Sequence, residues 1–571
     1  MNGKTLERPL TASGRLAVSA SVGALLVLAT LHLGFIVGGS AYWDPPWDDS
    51  AQSLAGLFAF VQDRWRFPLL SIGTYGLPEG ANAANLNAIP LVSVVLKLLH
   101  PLTHHVPVFF GLWIAICRVL HPVAGAELLA ALGERRLLPV FTVSLLFAGL
   151  PSLLDRITHA DLSAQFLLPA SLILYLRLVR AGSLRGISLA AFALLLTALL
   201  VHPYLLVMTF LPCAAALAER WRRGTTSASR AAGVVAAQMT GLLVVMLALG
   251  YFDAVSSPWP HYGKWSLNLL SPFLSAESTL LPAAGVIGET ICLAVEGANY
   301  LGLGALVLVA VALVSARRDL AGSLRRHPVL AGALAGLTVF AVSNRIELGN
   351  TLLFAYPLPS RLQQLAEVFR ASGRFFWPVT VALLAWCVAA VARALPWRAA
   401  VLVLALACAI QWVDLGGARQ RSRARSARTE TDALGPGRAA WRTLVTAHRS
   451  VETYPSYACG PGEENEYDLQ LQLIAVRSRV EINSAYLSRP NKDCGREAEQ
   501  ARRAWGAVPP AGVLRVFYGE PGRPAAESEW PGPNEACRRF SGALTGIACS
   551  AAWSEMEATG RTHAFQPLAR R

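Results

Sequence analysis

Charged side chains are scarce in this chain. They make up 15% of its 571 residues, where a soluble protein carries about 25%, and the mean hydropathy is +0.43. A wholly soluble fold is set aside on that ground. Acidic residues are the scarcer sign, 36 against 50 Lys and Arg. No internal repeat is visible. Cysteine is sparse too, at 9 residues, and its placement is uneven.

What the chain has in excess is apolar sequence, 54% of its residues. Apolar runs of about 20 residues recur over the first three quarters, enough to cross roughly 30 Å of hydrocarbon. The spans must be helices, whose backbone groups pair internally. Eleven are expected, at 16–38, 107–132, 137–153, 163–180, 186–202, 203–219, 231–251, 299–315, 327–343, 375–394 and 399–414. Shorter apolar stretches near 88–100 and 281–295 read as interfacial or re-entrant helices. The small residues Gly38-Gly39-Ser40-Ala41 resemble a cleavage site, but the preceding apolar run exceeds a signal-peptide core, so 16–38 reads as an uncleaved first span.

The basic excess has a topological reading. With the N-terminus cytoplasmic, the inside segments carry eighteen Lys and Arg and four acids, an excess of fourteen that equals the net charge of +14. The positive-inside rule therefore accounts for the charge, and nucleic acid is not an expected partner. Eleven spans leave the C-terminal part extracytosolic. Cys459, Cys494, Cys537 and Cys549 all fall there, an even set expected to form two disulfides by one of three pairings. Cys117, Cys213, Cys292, Cys387 and Cys408 lie in apolar surroundings and read as packing. Arg419, Arg421, Arg423, Arg425 and Arg428 follow the last span and run against this topology.

The expected organisation is a mainly α polytopic membrane domain over 1–414 with a long first external loop, 39–106, followed by a small extracytosolic α/β domain over 415–571. The tail alternates apolar runs, Leu473-Ile474-Ala475-Val476 and Val513 to Tyr518, with helical stretches such as 496–506.

Candidate chemistry starts at Trp43-Asp44-Pro45-Pro46-Trp47-Asp48-Asp49-Ser50-Ala51-Gln52. Carboxylates near hydrocarbon are costly, and these sit where the first span ends, flanked by interfacial tryptophans. Asp49, Asp48 and Asp44 are the catalytic candidates. Pro45 disfavours helix at Asp44, and Asp49 with Gln52 fits a capping box with Asp49 as N-cap. That cap is both the structural explanation of Asp49 and a way to orient it as base or metal ligand.

Between the third and fourth spans stand His159 and Asp161. A divalent cation, magnesium or manganese, would accept this carboxylate and imidazole, so Asp49, His159 and Asp161 form the metal candidates. Before the tenth span, Phe369-Arg370-Ala371-Ser372-Gly373-Arg374-Phe375-Phe376 places Arg370 and Arg374 four apart, on one face if helical. Paired guanidiniums suit a lipid phosphate, and His261 and Lys264 add to that set. Arg118 and His121 lie within the second span, where an Arg needs a partner or water. His202-Pro203-Tyr204 marks a turn and reads as structural.

These residues resemble the GT-C superfamily of integral membrane glycosyltransferases, in which a first span is followed by an external loop bearing a catalytic Asp and a second acidic motif often lies in the next external loop. The chain is more closely similar to a bacterial membrane family of unknown function near that superfamily, through Asp49-Ser50-Ala51-Gln52, Trp65-Arg66-Phe67-Pro68, Ile89-Pro90-Leu91, Glu296-Gly297-Ala298-Asn299-Tyr300-Leu301-Gly302 and the Phe369–Phe376 segment. The resemblance implies transfer of a sugar from a polyprenyl-phosphate donor to a glycan or lipid acceptor at the outer face of the inner (plasma) membrane, with a divalent metal in many members. The second acidic motif departs from the Asp-x-Asp form of oligosaccharyltransferases. The alternative is a non-catalytic protein of lipid-glycan transport or envelope assembly.

Overall fold

The computed structural model describes residues 8–44, 46, 48–252, 262–276, 278–281, 297–428, 434, 437–460, 466–489, 492–505, 507–518, 536–541, 545–553 and 565–567. The stretch 281–295, except its first residue, lies outside them, as do Cys292 and Glu296. The chain folds as two compact units. One comprises 1–39, 109–243 and 259–427; the other comprises 40–108, 244–258 and 428–571.

The first unit is helical. Each of the eleven expected apolar segments coincides with a helix, from Ala12–Thr30 to Trp397–Asp414. Among the described residues, five helices are long and apolar enough to cross a membrane: Ala12–Thr30, Phe110–Ala131, Ala228–Leu249, Ser372–Ala394 and Trp397–Asp414. Shorter apolar helices occupy four other expected spans, Leu137–Ala148, Arg185–Val201, Leu303–Ser315 and Pro328–Val342. The chain is therefore a mainly helical membrane protein. Helix starts follow the sequence chemistry. Thr11 caps Ala12–Thr30 by accepting from Gly14 N–H at 3.1 Å, and Pro203 and Pro328 sit in the first turn, where a missing N–H costs nothing.

Arg118 finds neutral partners inside this unit. It donates to Thr30 Oγ1 at 2.8 Å, Ser422 Oγ at 3.1 Å and the Leu154 carbonyl at 2.8 Å. Its role is a structural tie between helices. The basic residues after the last apolar helix are similarly spent: Arg419 donates to the Trp412 carbonyl, Arg423 to that of Leu28, and Arg425 pairs with Asp155 at 3.5 Å.

The second unit joins the first long loop to the tail. A six-stranded mixed sheet has the order Phe565–Pro567, Cys537–Ser541, Thr545–Cys549, Val513–Tyr518, Ser450–Tyr454, Glu481–Ile482. Loop residues extend its edge, with Gly76 N–H donating to the Ile482 carbonyl at 2.9 Å and Ile482 N–H to that of Thr74 at 3.0 Å. The helices Glu466–Arg477 and Cys494–Ala504 flank it. The apolar run 473–476 is thus the end of a helix; four apolar residues fit either periodicity until their neighbours are counted. The disulfides are Cys459–Cys494 and Cys537–Cys549. In the same unit, helix Asp48–Gln62 packs on Pro90–Thr103 and on Glu466–Arg477.

Candidate functional site

The acidic stretch divides into residues with different tasks. Asp44 is extended, at φ −158° and ψ 94°, as the following proline requires. Its carboxylate receives Arg438 and Arg477, both at 2.9 Å, and Arg477 also donates to the Trp43 carbonyl at 3.0 Å. Asp44 therefore holds the loop to the tail. The helix starts at Asp48, so Asp49 stands inside its first turn and is not the N-cap expected from the sequence. The capping box is not formed. Gln52 instead donates to the Tyr486 carbonyl at 3.0 Å and accepts from Asn87 Nδ2 at 3.0 Å. A buried amide with two partners at hand is better satisfied there than by turning back to a helix start. Asp48 begins the helix, and its side chain lies outside the described set.

Asp49 is half-buried, and Tyr486 Oη donates to its Oδ1 at 2.9 Å. The tyrosine is itself fixed on several sides. Its N–H lies 3.1 Å from Gln472 Oε1 and 3.3 Å from Tyr75 Oη, and its ring packs against Tyr457 at 4.5 Å. Behind it, Asp468 accepts from Gln472 at 2.5 Å and from Ser484 at 2.6 Å. The first turn of a helix also favours a negative charge. Of the two described carboxylates, Asp44 and Asp49, it is Asp49 that is held by a pre-organised neutral donor. Tyr486 and Tyr457 carry no sequence signal of this, because 437 residues separate Tyr486 from Asp49.

In the same unit Asp63 ties a tight loop. Arg66 Nε donates to it at 2.8 Å, Gly73 N–H at 2.7 Å and Arg64 N–H at 2.8 Å. Burial pushes its pKa up, but these donors and the Arg66 charge outweigh that, and the net shift is downward. Lys97 lies close by, 4.1 Å over the Phe60 ring and 4.8 Å over Trp65. Burial lowers it to about 8, partly opposed by Asp63. The Trp65-Arg66-Phe67-Pro68 segment is thus organised around a structural carboxylate.

The other unit holds His159, Asp161, Arg370, Arg374 and Lys264. Asp161 is buried, 1% exposed, and Oδ2 lies 3.3 Å from His202 Nε2. His202 Nδ1 accepts from Tyr204 N–H at 3.2 Å, capping the helix Pro203–Arg222. With Nδ1 accepting, a neutral ring carries its proton on Nε2, the nitrogen on the Asp161 side. The turn residue His202 thus has a partner that its local sequence did not announce. Tyr204 Oη accepts from Ala371 N–H at 3.0 Å, and the Arg374 guanidinium lies 5.1 Å over its ring. Arg370 and Lys264 flank Trp265 at 5.2 and 5.1 Å. Arg370 and Arg374 do not share a helix face. The helix Ser360–Glu367 has ended before them, and Ser372–Phe376 is a 3₁₀ turn, so each guanidinium rests on its own aromatic. His261 lies outside the described residues.

The metal expectation fares less well. His159 Nδ1 is 3.1 Å from Thr158 Oγ1, and Asp161 faces His202. Asp49 belongs to the other unit. Among the described residues no group of three or more His, Cys, Asp and Glu side chains is placed to hold a metal ion.

The segments around Asn299 and Gly373 interlock. Asn299 Nδ2 donates to the carbonyls of Gly297 at 3.0 Å and Gly373 at 3.1 Å. A Cβ on Gly373 would stand 3.0 Å from Gly297 Cα. Tyr300 Oη and Leu303 N–H both donate to the buried Asp414, at 2.9 and 2.8 Å. These residues build the scaffold that carries Arg370 and Arg374.

Residues 20–416 match the profile of a family described as Domain of unknown function (DUF6311), and residues 440–548 match the DUF6311 C-terminal domain. No protein of curated function matches the sequence. Among solved structures, the chain is similar to the arabinofuranosyltransferase AftD from Mycobacteria, at 16% identity and a TM-score of 0.48 over 95% of this chain and 40% of that one. It is also similar to the archaeal oligosaccharyltransferase AglB from Archaeoglobus fulgidus, solved with an inhibitory peptide and a dolichol-phosphate, at 13% identity and a TM-score of 0.42 over 94% of this chain and 74% of that one. The chain thus spans 40% of the length of AftD. The sequence resemblance to a family of unknown function and to membrane glycosyltransferases meets these same two kinds of protein; at such TM-scores the likeness carries nothing about activity.

Proposed function

The chain belongs to the DUF6311 family, and from that premise we propose that it is a membrane glycosyltransferase that moves a sugar from a polyprenyl-phosphate carrier to a glycan or lipid acceptor. The observation that carries the reading is the Asp49 carboxylate, half-buried at a helix start and held at 2.9 Å by Tyr486, while its neighbour Asp44 is occupied by two arginines.

In the proposed reaction Asp49 accepts the proton of the acceptor hydroxyl. The hydroxyl oxygen bonds to the anomeric carbon, and the bond from that carbon to the carrier phosphate breaks. The leaving phosphate keeps the electron pair. Within the other unit, Arg370 and Lys264 beside Trp265 and Arg374 over Tyr204 are cations suited to a lipid phosphate. His202 and Asp161 hold the helix start that carries Tyr204. The reading places the protein in the bacterial inner (plasma) membrane with a cytoplasmic N-terminus and an extracytosolic tail, which the two disulfides of the tail support. No step runs through a metal. Loss of transfer on chelation, restored by magnesium or manganese, would add one.

The test is transfer by purified protein in lipid nanodiscs, offered polyprenyl-phosphate sugars as donors and envelope glycolipids as acceptors. Sugar-labelled product and stoichiometric release of polyprenyl phosphate are expected. The alternative, a non-catalytic transport or assembly protein, gives neither.

A further inference from the structure

Helix Pro90–Thr103 is built with its faces reversed from those of a water-soluble helix. Its buried positions include Ser93 and Lys97, and the Lys97 ammonium lies over Phe60 of the helix Asp48–Gln62. Its exposed positions include Val95 at 50%, Leu98 at 61%, Leu99 at 46% and Leu102 at 82%. Their spacing of i, i+3, i+4, i+7 is one continuous apolar stripe. The nearby loop adds exposed apolar groups of its own, Trp65 at 46%, Phe67 at 78% and Leu69 at 42%. The two patches are tied together by Lys97, whose ammonium lies over Trp65 at 4.8 Å and donates to the Arg64 carbonyl at 3.3 Å.

A second observation says what meets this surface. The last residues of helix Ala228–Leu249, from 244 on, belong to the same unit. That helix is one of the five long and apolar enough to cross a membrane, and only 17% of its apolar window is buried, as suits a span that faces lipid. Its final carbonyls hold the loop. Leu69 N–H donates to Ala248 at 2.9 Å, and Asn82 Nδ2 donates to Leu249 at 2.9 Å and Gly250 at 3.1 Å. A loop fastened to the terminal turn of a span sits where the span leaves the hydrocarbon. Tryptophan suits that depth. The helix Pro90–Thr103, at 14 residues, is about 21 Å long by its rise per residue, too short to cross, and its exposed stripe carries no charge. A helix of this kind lies in the interface plane with its apolar side in the lipid.

We propose that helix Pro90–Thr103 and loop 65–69 form a membrane-docking surface whose partner is the lipid bilayer itself. The inference is independent of any glycosyl transfer.

It is tested on the full chain in nanodiscs, with single cysteines introduced as Phe67→Cys, Leu102→Cys and, as a control on an exposed helix of the same unit, Arg502→Cys. Each carries an environment-sensitive fluorophore. Nitroxide-labelled lipids are expected to quench the labels at 67 and 102 several-fold more than the label at 502, and iodide the reverse. Labels at 67 and 102 that iodide quenches and nitroxide lipids do not, or that are shielded from both as by a protein partner or a second copy, would overturn the proposal.

Discussion

Tyr486 donates its phenolic hydrogen to Asp49 across 437 residues of sequence, at 2.9 Å. The tyrosine backbone is held by Gln472, Tyr75 and Gln52, so the hydroxyl has little freedom to leave. Tyr486→Phe removes the donor and keeps the ring against Tyr457. A hydrogen bond to a charged group is worth about 1.5–3 kcal/mol, and the expected loss in kcat is about 10- to 100-fold with the acceptor KM nearly unchanged. Steady-state transfer kinetics check this; a raised KM at constant kcat would make Tyr486 a binding residue instead.

Asp44 gives the contrasting case. Its side chain is 55% exposed and shared between Arg438 and Arg477. Exposed pairs contribute roughly 0.2–1 kcal/mol each. Asp44→Asn is expected to lower thermal stability slightly and to keep transfer within a few-fold of wild type. A melting curve and the transfer assay on the same preparation separate the two carboxylates.

How far the sequence carried is visible in this pair of aspartates. Pro45 foretold that Asp44 would leave the helix, and the apolar runs foretold where helices lie, because both are local effects. The tail cysteines foretold two disulfides through their even number, while the fold decides the pairing, Cys459–Cys494 and Cys537–Cys549. The capping box failed because Gln52 found Asn87 and the Tyr486 carbonyl, partners distant in sequence that no local pattern reveals. Arg370 and Arg374 would share a face only in an α-helix, and the 3₁₀ turn Ser372–Phe376, packed against Gly297 and Asn299, stands in its place. His202 looked like a turn residue, and is one, but the Asp161 carboxylate that faces it is contributed by a different loop.

Arg370 and Lys264 are expected to act on donor affinity. Replacing either by Ala removes a cation from the face of Trp265. The donor KM should rise roughly tenfold for each, with kcat changed less, since a point charge on a retained phosphate contributes to ground state and transition state alike. Titration of the polyprenyl-phosphate donor measures it, and an unchanged KM removes these residues from the phosphate site.

Asp63 sets an acid limit on stability. Its folded pKa is depressed, against about 3.9 for an unfolded aspartate. The carboxylate therefore stabilises the fold above the unfolded pKa, and the contribution is lost as pH falls from near 4 through the lower folded value. Asp63→Asn should cost on the order of 2–3 kcal/mol at neutral pH and flatten the fall in melting temperature below pH 4. An identical acid limb in the variant would place the acid sensitivity elsewhere.

The central claim rests on the Asp49 charge. Asp49→Asn keeps the side chain's size and its place in the first helical turn while removing the proton acceptor. Transfer from a polyprenyl-phosphate sugar is expected to fall by about 100-fold or more, as removal of a general base does, with donor binding and melting temperature retained. Wild-type transfer rates in Asp49→Asn would contradict the account.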